Sequence, residues 1–275
     1  MDIKCIALDL DLTTLDKDGR LSDGNRQALE HAISKGVHII IASGRPFDSL
    51  PKDVLAVPGI EYAITSNGGA VYYVPTRKRL VGYLLESHSV REIMERTKGL
   101  TLTYEAFISG VAYADAGYVQ DPVAHGSAPR AIPYIQSTRN PIADIRSFIL
   151  EHCHELDSLD LITKDADLKT RVWTMLQQTI PDIYVTSSVP QLIEISHRNA
   201  GKHTGVRFVA ERLGLSAAQV AAFGDGDNDT DMLSYVGCGI AVENATPSCL
   251  AAANYVTAHH NLDGVAKGIY DILKI

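Results

Sequence analysis

The sequence lacks several features that mark secreted, membrane or nucleic-acid-binding proteins. No apolar run approaches the roughly 20 residues that a membrane-spanning helix needs. The N-terminal segment has no basic region followed by an apolar stretch and a cleavage site, so we expect no signal peptide. There is no basic run, and 25 Lys and Arg residues stand against 33 Asp and Glu residues, a net charge of −8. An acidic chain of this kind is expected to bind neither nucleic acid nor a membrane surface.

Cysteine is also scarce. The four cysteines, at positions 5, 153, 238 and 249, form no CxxC pair and lie mostly in apolar runs. Buried thiols in a reducing cytoplasm are the simplest interpretation, so we expect a cytoplasmic protein. These features carry no prediction of the oligomeric state.

The chain has 275 residues, 45% of them hydrophobic, which is enough for one large domain or two smaller ones. An apolar run ends in acids at Asp9, and a helix is predicted from an N-cap at Ser22 to Gly36. Residues 37–42 are apolar and β-branched without alternation, which is typical of a parallel strand covered on both faces. This order predicts an α/β fold with a doubly wound, Rossmann-like parallel sheet.

The pattern changes between about Tyr83 and about Pro190. Strands there alternate more, as in a sheet with one open face, and residues 118–141 form a long Gly/Pro-rich connection of the kind that is often functional. We therefore predict a core of residues 1–83 and 190–275, with residues 84–189 inserted as a smaller α/β domain.

Three acidic or polar clusters each follow a predicted core strand: "LDLDLTTLD", "ASGRP" and "GDGDNDTD". In an open parallel sheet, ligands bind beyond the carboxyl ends of the strands. Asp9, Asp11, Ser43 and Asp225 are therefore expected to share one crevice. Carboxylates gathered there would suit Mg²⁺, which takes oxygen ligands.

Two other interpretations apply to the last cluster. A calcium loop would need Gly and Glu where the chain has Thr230 and Val236, and a strand rather than a helix precedes the cluster. A solvated acidic turn accounts for this cluster alone and leaves the other two unexplained.

Several stretches in order carry a family resemblance: "DLDLT" with "TLD", "ASGRP", "TSNGG", the Lys of "NAGKHTG", "FGDGDNDTDML" and "GIAVENA". Together they resemble the haloacid dehalogenase superfamily of phosphatases and, within it, the Cof-type hydrolases with a large α/β cap. The resemblance spans the core from Asp9 to Asp263, whereas the inserted segment carries almost no matching motif.

The resemblance implies a set of catalytic roles. Asp9 would be the nucleophile that forms an aspartyl-phosphate, ionised at neutral pH if it keeps an ordinary Asp pKa of about 3.9. Asp11 would be the general acid for the leaving alcohol and then the base for water, which requires surroundings that raise its pKa. Lys202 would neutralise charge on the transferring phosphoryl oxygens.

The resemblance also implies ligands for Mg²⁺ and for phosphate. The metal would be held by the Asp9 side chain, the Asp11 backbone carbonyl and Asp225, with Asp229 orienting the site. Asp227 and Asp231 would face water or the start of the next helix. The phosphate contacts implied are Ser43, Gly44, Arg45, Asn228 and Asn244, although an ion pair is an equal alternative for Arg45.

One residue departs from the family pattern, because Leu12 stands where the family usually has glycine. This puts the range of substrates in doubt rather than the chemistry. The function predicted is a Mg²⁺-dependent phosphatase for a small phosphorylated metabolite such as a sugar phosphate, a nucleotide or pyridoxal phosphate. A phosphomutase would share every motif. A non-catalytic, phosphorylatable Mg²⁺-binding regulator would have no use for Asp11 or for a large insertion.

Overall fold

A computed structural model of the chain describes residues 2–275. The strands are β1 (Cys5–Leu8), β2 (His38–Ala42), β3 (Ile60–Thr65), β4 (Ala70–Tyr73), β5 (Lys78–Gly82), β6 (Thr103–Ile108), β7 (Val111–Asp115), β8 (Arg139–Ile142), β9 (Leu156–Ile162), β10 (Ile183–Thr186), β11 (Leu192–His197), β12 (Val220–Gly224), β13 (Cys238–Val242) and β14 (Tyr255–Thr257). The α-helices are α1 (Asp23–Ser34), α2 (Lys52–Leu55), α3 (Ser87–Arg96), α4 (Ala116–Gln120), α5 (Ile132–Thr138), α6 (Ile145–Glu151), α7 (Ala166–Thr179), α8 (Lys202–Arg212), α9 (Thr230–Tyr235), α10 (Pro247–Ala252) and α11 (Gly264–Lys267).

The chain divides into two compact units. The first unit comprises residues up to 45, residues 50–81 and residues 201–275, and the second comprises residues 46–49 and 82–200. The first junction lies beside the expected residue 83. The second lies at residues 200–201 rather than near Pro190, because β11 pairs with β9 and so belongs to the sheet of the second unit.

The first unit contains a sheet in the order β14-β13-β12-β1-β2-β3-β4-β5. The pairs from β14 to β3 are parallel, and β4 joins β3 antiparallel. All four residues of β1 are buried, as expected for a central strand covered on both faces. The predicted doubly wound α/β core is therefore confirmed.

Helix α1 follows the local rules predicted from its sequence. The Ser22 hydroxyl accepts a hydrogen bond from the Asn25 N–H at 3.1 Å, which satisfies a donor that the first turn leaves free. The helix ends before Gly36, which has a φ of 81°. The apolar face of the helix buries Ala28, Leu29 and Ala32.

The second unit contains a sheet in the order β10-β11-β9-β6-β7-β8, antiparallel except between β7 and β8. One face packs against α3, α6 and α7, which contribute Val90, Ile149 and Leu176 to its core. On the other face, Tyr118 of α4 and Ile135 of α5 pack with strand residues. Every residue of β9 and five of the six residues of β6 are buried, whereas β7 alternates between half-buried and buried residues, as expected for a strand with one more open face.

The long connection of residues 118–141 is more ordered than its Gly/Pro content predicts. It contains α5 and most of β8. Pro133 lies in the first turn of α5, where the missing N–H has no helical partner to lose. Pro141 lies in β8, an edge strand that pairs only with β7.

Three carboxylates lie side by side in this second sheet. Asp160 of β9 is in register with Glu105 of β6 and with Glu194 of β11, and each is at most 3% exposed. Arg139 forms a buried bidentate pair with Glu105, at 2.7 and 3.1 Å. Burial, followed by the charges of Glu194 and Glu105, raises the pKa of Asp160 well above its usual value. These surroundings therefore favour the neutral form of Asp160.

We expect Asp160→Asn to stabilise the protein at neutral pH. Because the folded-state pKa is raised, the contribution of Asp160 is fully present below the unfolded value and is lost as pH rises toward the folded value. The free energy of unfolding of the wild type should fall relative to the variant by up to about 1.4 kcal/mol per pH unit. Urea unfolding from about pH 5 to about pH 8 measures this difference. The exposed Asp167→Asn change is the control, and parallel pH profiles for wild type and Asp160→Asn would contradict the assignment.

The structure bears on the cysteines and on the apolar segments of the chain. All four cysteines are buried and free of disulfides, which confirms the prediction of buried thiols, and burial raises the pKa of the Cys5 thiol to about 12. None of the helices found within residues 2–275 has the length and apolar character needed to cross a bilayer.

Candidate active site

Two neighbouring strands of the first unit deliver carboxylates to the same edge of the sheet. Asp9 directly follows β1 and Asp225 directly follows β12, and Leu8 is in register with Phe223. The Asp9 N–H donates to the Phe223 carbonyl at 3.0 Å, which continues the strand pairing up to Asp9. The structure thus brings Asp9 and Asp225 together, as the strand-end argument predicts.

Lys202 lies between two carboxylates at the start of α8. Its Nζ donates to Asp9 Oδ1 and to Asp229 Oδ1, each at 2.6 Å, and its side chain is fully buried. Burial alone would lower the pKa of Lys202. The charges and hydrogen bonds of Asp229 and Asp9 outweigh burial and raise that pKa above its usual value. Lys202 is therefore a fixed cation inside the site.

The loop after β12 fixes the other two carboxylates. Asp229 Oδ2 accepts hydrogen bonds from the N–H groups of Asp225 and Gly226, both at 3.0 Å. The Thr13 hydroxyl donates to Asp225 Oδ1 at 2.8 Å. Asp229 thus holds the loop backbone with one oxygen and Lys202 with the other.

The donor set fits a hard divalent cation. Carboxylate oxygens of Asp9, Asp225 and Asp229 all lie within 4.8 Å of one another. Burial, opposed by Lys202 and reinforced by Asp229, raises the pKa of Asp9 to about 7, and burial followed by Asp9 and Asp229 raises that of Asp225 to about 9. Burial beside other carboxylates thus shifts the pKa of Asp9 upward from the ordinary value. One lysine does not balance three carboxylates, and a cation such as Mg²⁺ would supply the missing charge.

Asp11 lies apart from this buried cluster. Its side chain is 54% exposed, and Arg45 donates to both of its carboxylate oxygens, at 2.8 and 2.6 Å. Of the two alternatives for Arg45, the structure contains the ion pair. Such a pair favours the ionised form of a carboxylate.

Three of the residues expected to contact phosphate lie on the loops that follow β2 and β12. Ser43 follows β2, is buried, and accepts a hydrogen bond from the Arg45 N–H at 3.1 Å. Gly44 separates them and is half-buried. Asn228 lies in the loop after β12, also buried, and its amide donates to Asn67 Oδ1 at 2.9 Å.

Asn244 is engaged by the backbone of two loops. Its Nδ2 donates to the Leu12 carbonyl at 2.9 Å, and its Oδ1 accepts from the His260 N–H at 3.0 Å. The amide has a second N–H, which is the group that a phosphate contact would use. Leu12 has φ 61° and ψ 11°, a left-handed conformation that costs a branched side chain energy and that glycine adopts freely. This explains why glycine is usual at this position.

The remaining two aspartates of the acidic loop lie outside the cluster. Asp227 Oδ1 accepts hydrogen bonds from the hydroxyls of Thr246, at 2.8 Å, and Ser248, at the start of α10. Asp231 lies in the first turn of α9, 4.0 Å from His203 Nδ1, and is half exposed. The two therefore face other helices or solvent.

Sequence reasoning missed two residues that organise the site, Thr13 and Asn67. Thr13 carried no signal beyond its place in the "DLDLT" stretch. Asn67 did carry one, because an Asn-Gly pair just beyond a strand indicates a turn with positive φ. The Asn-Gly pair predicts the turn but does not predict which residues Asn67 contacts.

With this geometry, the comparison with known proteins identifies the family. The family described as haloacid dehalogenase-like hydrolase matches residues 6–269. The chain belongs to this family, and its expected assignment as an enzyme of the phosphatase class is confirmed at that level.

Related proteins can be aligned with this chain over nearly its full length. YxeH of Bacillus subtilis (strain 168), a phosphatase candidate, is 28% identical over 274 residues, covering 98% of each chain. The 5-amino-6-(5-phospho-D-ribitylamino)uracil phosphatase YcsE of the same strain is 27% identical, covering 98% of this chain and 95% of the other. A solved haloacid dehalogenase-like hydrolase from B. subtilis has a TM-score of 0.83 at 23% identity, covering 98% of this chain and all of that one. This last likeness shows the fold.

Proposed function

We propose that this chain is a Mg²⁺-dependent phosphatase that hydrolyses a small phosphorylated metabolite through an aspartyl-phosphate on Asp9. The observation that carries the proposal is the buried carboxylate cluster with Lys202 Nζ 2.6 Å from Asp9 Oδ1. A nucleophile beside a fixed cation, at the end of a central strand, is suited to attack on an anionic phosphate ester.

In the first step, a carboxylate oxygen of Asp9 attacks phosphorus and the ester oxygen leaves with its electron pair. Asp11 gives that oxygen a proton, once its pair with Arg45 has opened. In the second step, Asp11 takes a proton from water, the water oxygen bonds to phosphorus, and the Asp9 carboxylate is regenerated as phosphate departs. Exposure of the Asp11 side chain gives solvent access to it.

Several side chains and one backbone segment near Asp9 are proposed to bind the phosphoryl oxygens. Lys202 neutralises charge on these oxygens, and the Ser43 hydroxyl and Gly44 backbone contact them. Asn228 adds an amide donor. Arg45 reaches the phosphoryl group only when it leaves Asp11, and Asn244 acts chiefly through the Leu12 carbonyl.

Mg²⁺ would be held by Asp9, Asp225 and the Asp11 backbone carbonyl, with Asp229 orienting the ligands, and it would offset the repulsion between the nucleophile and the phosphate. The second unit is proposed to be a cap that selects the leaving group. The similarity to YcsE, whose name gives a phosphorylated ribityl compound as its substrate, supports a small metabolite such as a sugar phosphate, a nucleotide or pyridoxal phosphate.

We expect hydrolysis of 4-nitrophenyl phosphate to fall by at least about 100-fold in EDTA and to return with Mg²⁺, because several kcal/mol of charge stabilisation depend on the ion. Ca²⁺ should restore little activity, since its longer and looser coordination would misplace the phosphoryl group. Phosphate release measured in parallel checks the chromogenic assay. Undiminished activity in EDTA would contradict the Mg²⁺ assignment.

The same assay on a panel of phosphorylated metabolites separates the alternatives. A phosphatase releases inorganic phosphate from its best substrate. A phosphomutase would instead convert that substrate to an isomer with little release. A regulator would accumulate a stable aspartyl-phosphate without turnover.

A further inference from the structure

The turn of residues 66–69, directly after β3, has an unusual backbone for buried residues. Ser66 and Asn67 each have a φ of 50°, and Gly68 has a φ of 88°. Left-handed conformations cost non-glycine residues on the order of 1 kcal/mol each. Ser66 and Asn67 are also at most 2% exposed. A buried turn with this cost persists only where surrounding contacts determine it.

Asn67 makes those contacts with three separate segments of the site. Its N–H donates to the Ser43 carbonyl at 3.2 Å, and its carbonyl accepts from the Gly201 N–H at 2.8 Å. Its side-chain Oδ1 accepts from Asn228 Nδ2 at 2.9 Å. The three partners are Ser43, the residue before Lys202, and Asn228. One residue therefore fixes the positions of three groups proposed to bind the phosphoryl oxygens.

The backbone contact with Gly201 is unusually close. A Cβ added to Gly68 would lie 2.2 Å from the Gly201 carbonyl oxygen. Gly201 itself has a φ of 131°, and a Cβ there would lie 2.6 Å from the His203 ring. Because Gly68 and Gly201 have no side chains, the backbone of the turn can contact the residue that precedes Lys202. The left-handed turn is what allows this approach.

We propose that Asn67 is a positioning residue that aligns Lys202, Ser43 and Asn228 on the phosphoryl group; this inference rests on the proposed phosphatase function. Its backbone conformation seats the turn against Gly201, and its side chain orients the amide of Asn228. Because Asn228 Nδ2 donates one hydrogen to Asn67, the amide is held in one orientation with its other N–H available to a ligand.

The test uses Asn67→Gly, because glycine keeps the left-handed backbone and removes the side-chain bond to Asn228. We expect kcat/KM for 4-nitrophenyl phosphate to fall about 10–100-fold, as is usual when a group that orients a ligand-binding side chain is lost. Inhibition by inorganic phosphate should weaken in parallel, because the same groups bind the product. The unfolding transition should remain cooperative, which shows that the variant is folded.

A double-mutant cycle with Asn228→Ala distinguishes positioning from general damage. If Asn67 acts through Asn228, Asn67→Gly should cost less than about 3-fold in the Asn228→Ala background. Ser109→Gly is the matched control, since Ser109 has a φ of 52° in the second unit and should change neither kcat/KM nor phosphate inhibition.

The outcomes separate the two proposals. Normal kcat/KM in Asn67→Gly, or full additivity with Asn228→Ala, would overturn the positioning role while an active wild type leaves the phosphatase assignment standing. Absence of phosphate-ester hydrolysis by the wild type would overturn the phosphatase assignment and, with it, the role inferred for Asn67.

Discussion

Asp9→Asn and Asp11→Asn should fail at different steps. Asp9→Asn removes the nucleophile, so neither ester cleavage nor a covalent phospho-enzyme should form. Asp11→Asn keeps the nucleophile and its contact with Lys202 but loses the proton donor and the base for water. General acid–base help is worth about 10²–10⁴-fold, so a sugar phosphate with a poor leaving group should be hydrolysed at least that much more slowly.

A nitrophenyl ester makes the difference measurable. Its leaving group needs no proton, so the first step of Asp11→Asn should partly survive while hydrolysis of the phospho-enzyme becomes slow. Phosphate should then accumulate on Asp9 and be trapped by a rapid acid quench. Measurement of the burst and of the trapped phosphate tests both steps in one experiment.

Asp227→Asn is the matched control, because Asp227 lies in the same acidic stretch yet bonds to Thr246 and Ser248 outside the cluster. It should retain nearly full activity. Phosphate trapped on Asp11 in the wild type would reverse the two roles. Normal hydrolysis by both variants would exclude this pair as the catalytic groups.

The sequence was most informative where local chemistry and strand order act together. Asp9 and Asp225 each end an apolar strand, and parallel strands that are neighbours place their ends at one edge. That argument needs only the pattern of apolar residues and the acids that follow. Lys202 is different, because nothing in the periodicity of α8 brings it to Asp9, and only the family resemblance indicated it.

Features that depend on contacts between residues distant in sequence could not be predicted from the pattern of residue types along the chain. Asn67 joins segments near residues 43, 201 and 228, and only the fold brings these together. The junction near Pro190 was misplaced, because β11 looks like any apolar strand until its pairing with β9 is known. The alternation in the sequence of β6 predicted a sheet with one open face, although five of the six residues of that strand are buried.

Lys202→Met should cause the largest loss of stability among single changes in the site. The fully buried ammonium holds Asp9 and Asp229 at 2.6 Å each, and methionine fills a similar volume without charge. Removing one partner from a buried ion pair costs about 3–5 kcal/mol, because the remaining charges are left uncompensated. Activity should also fall by about 10²–10³-fold, the usual loss when one preorganised electrostatic group is removed.

Mg²⁺ should recover part of the stability of Lys202→Met, because a divalent cation at the carboxylates supplies charge that the variant lacks. We expect the shift in unfolding temperature on adding Mg²⁺ to be larger in the variant than in the wild type, while activity stays low. The exposed Lys267→Met change is the control and should alter the free energy of unfolding by less than about 0.5 kcal/mol. A Lys202→Met protein as stable as the wild type without Mg²⁺ would show that the buried cation does not hold the carboxylate cluster together.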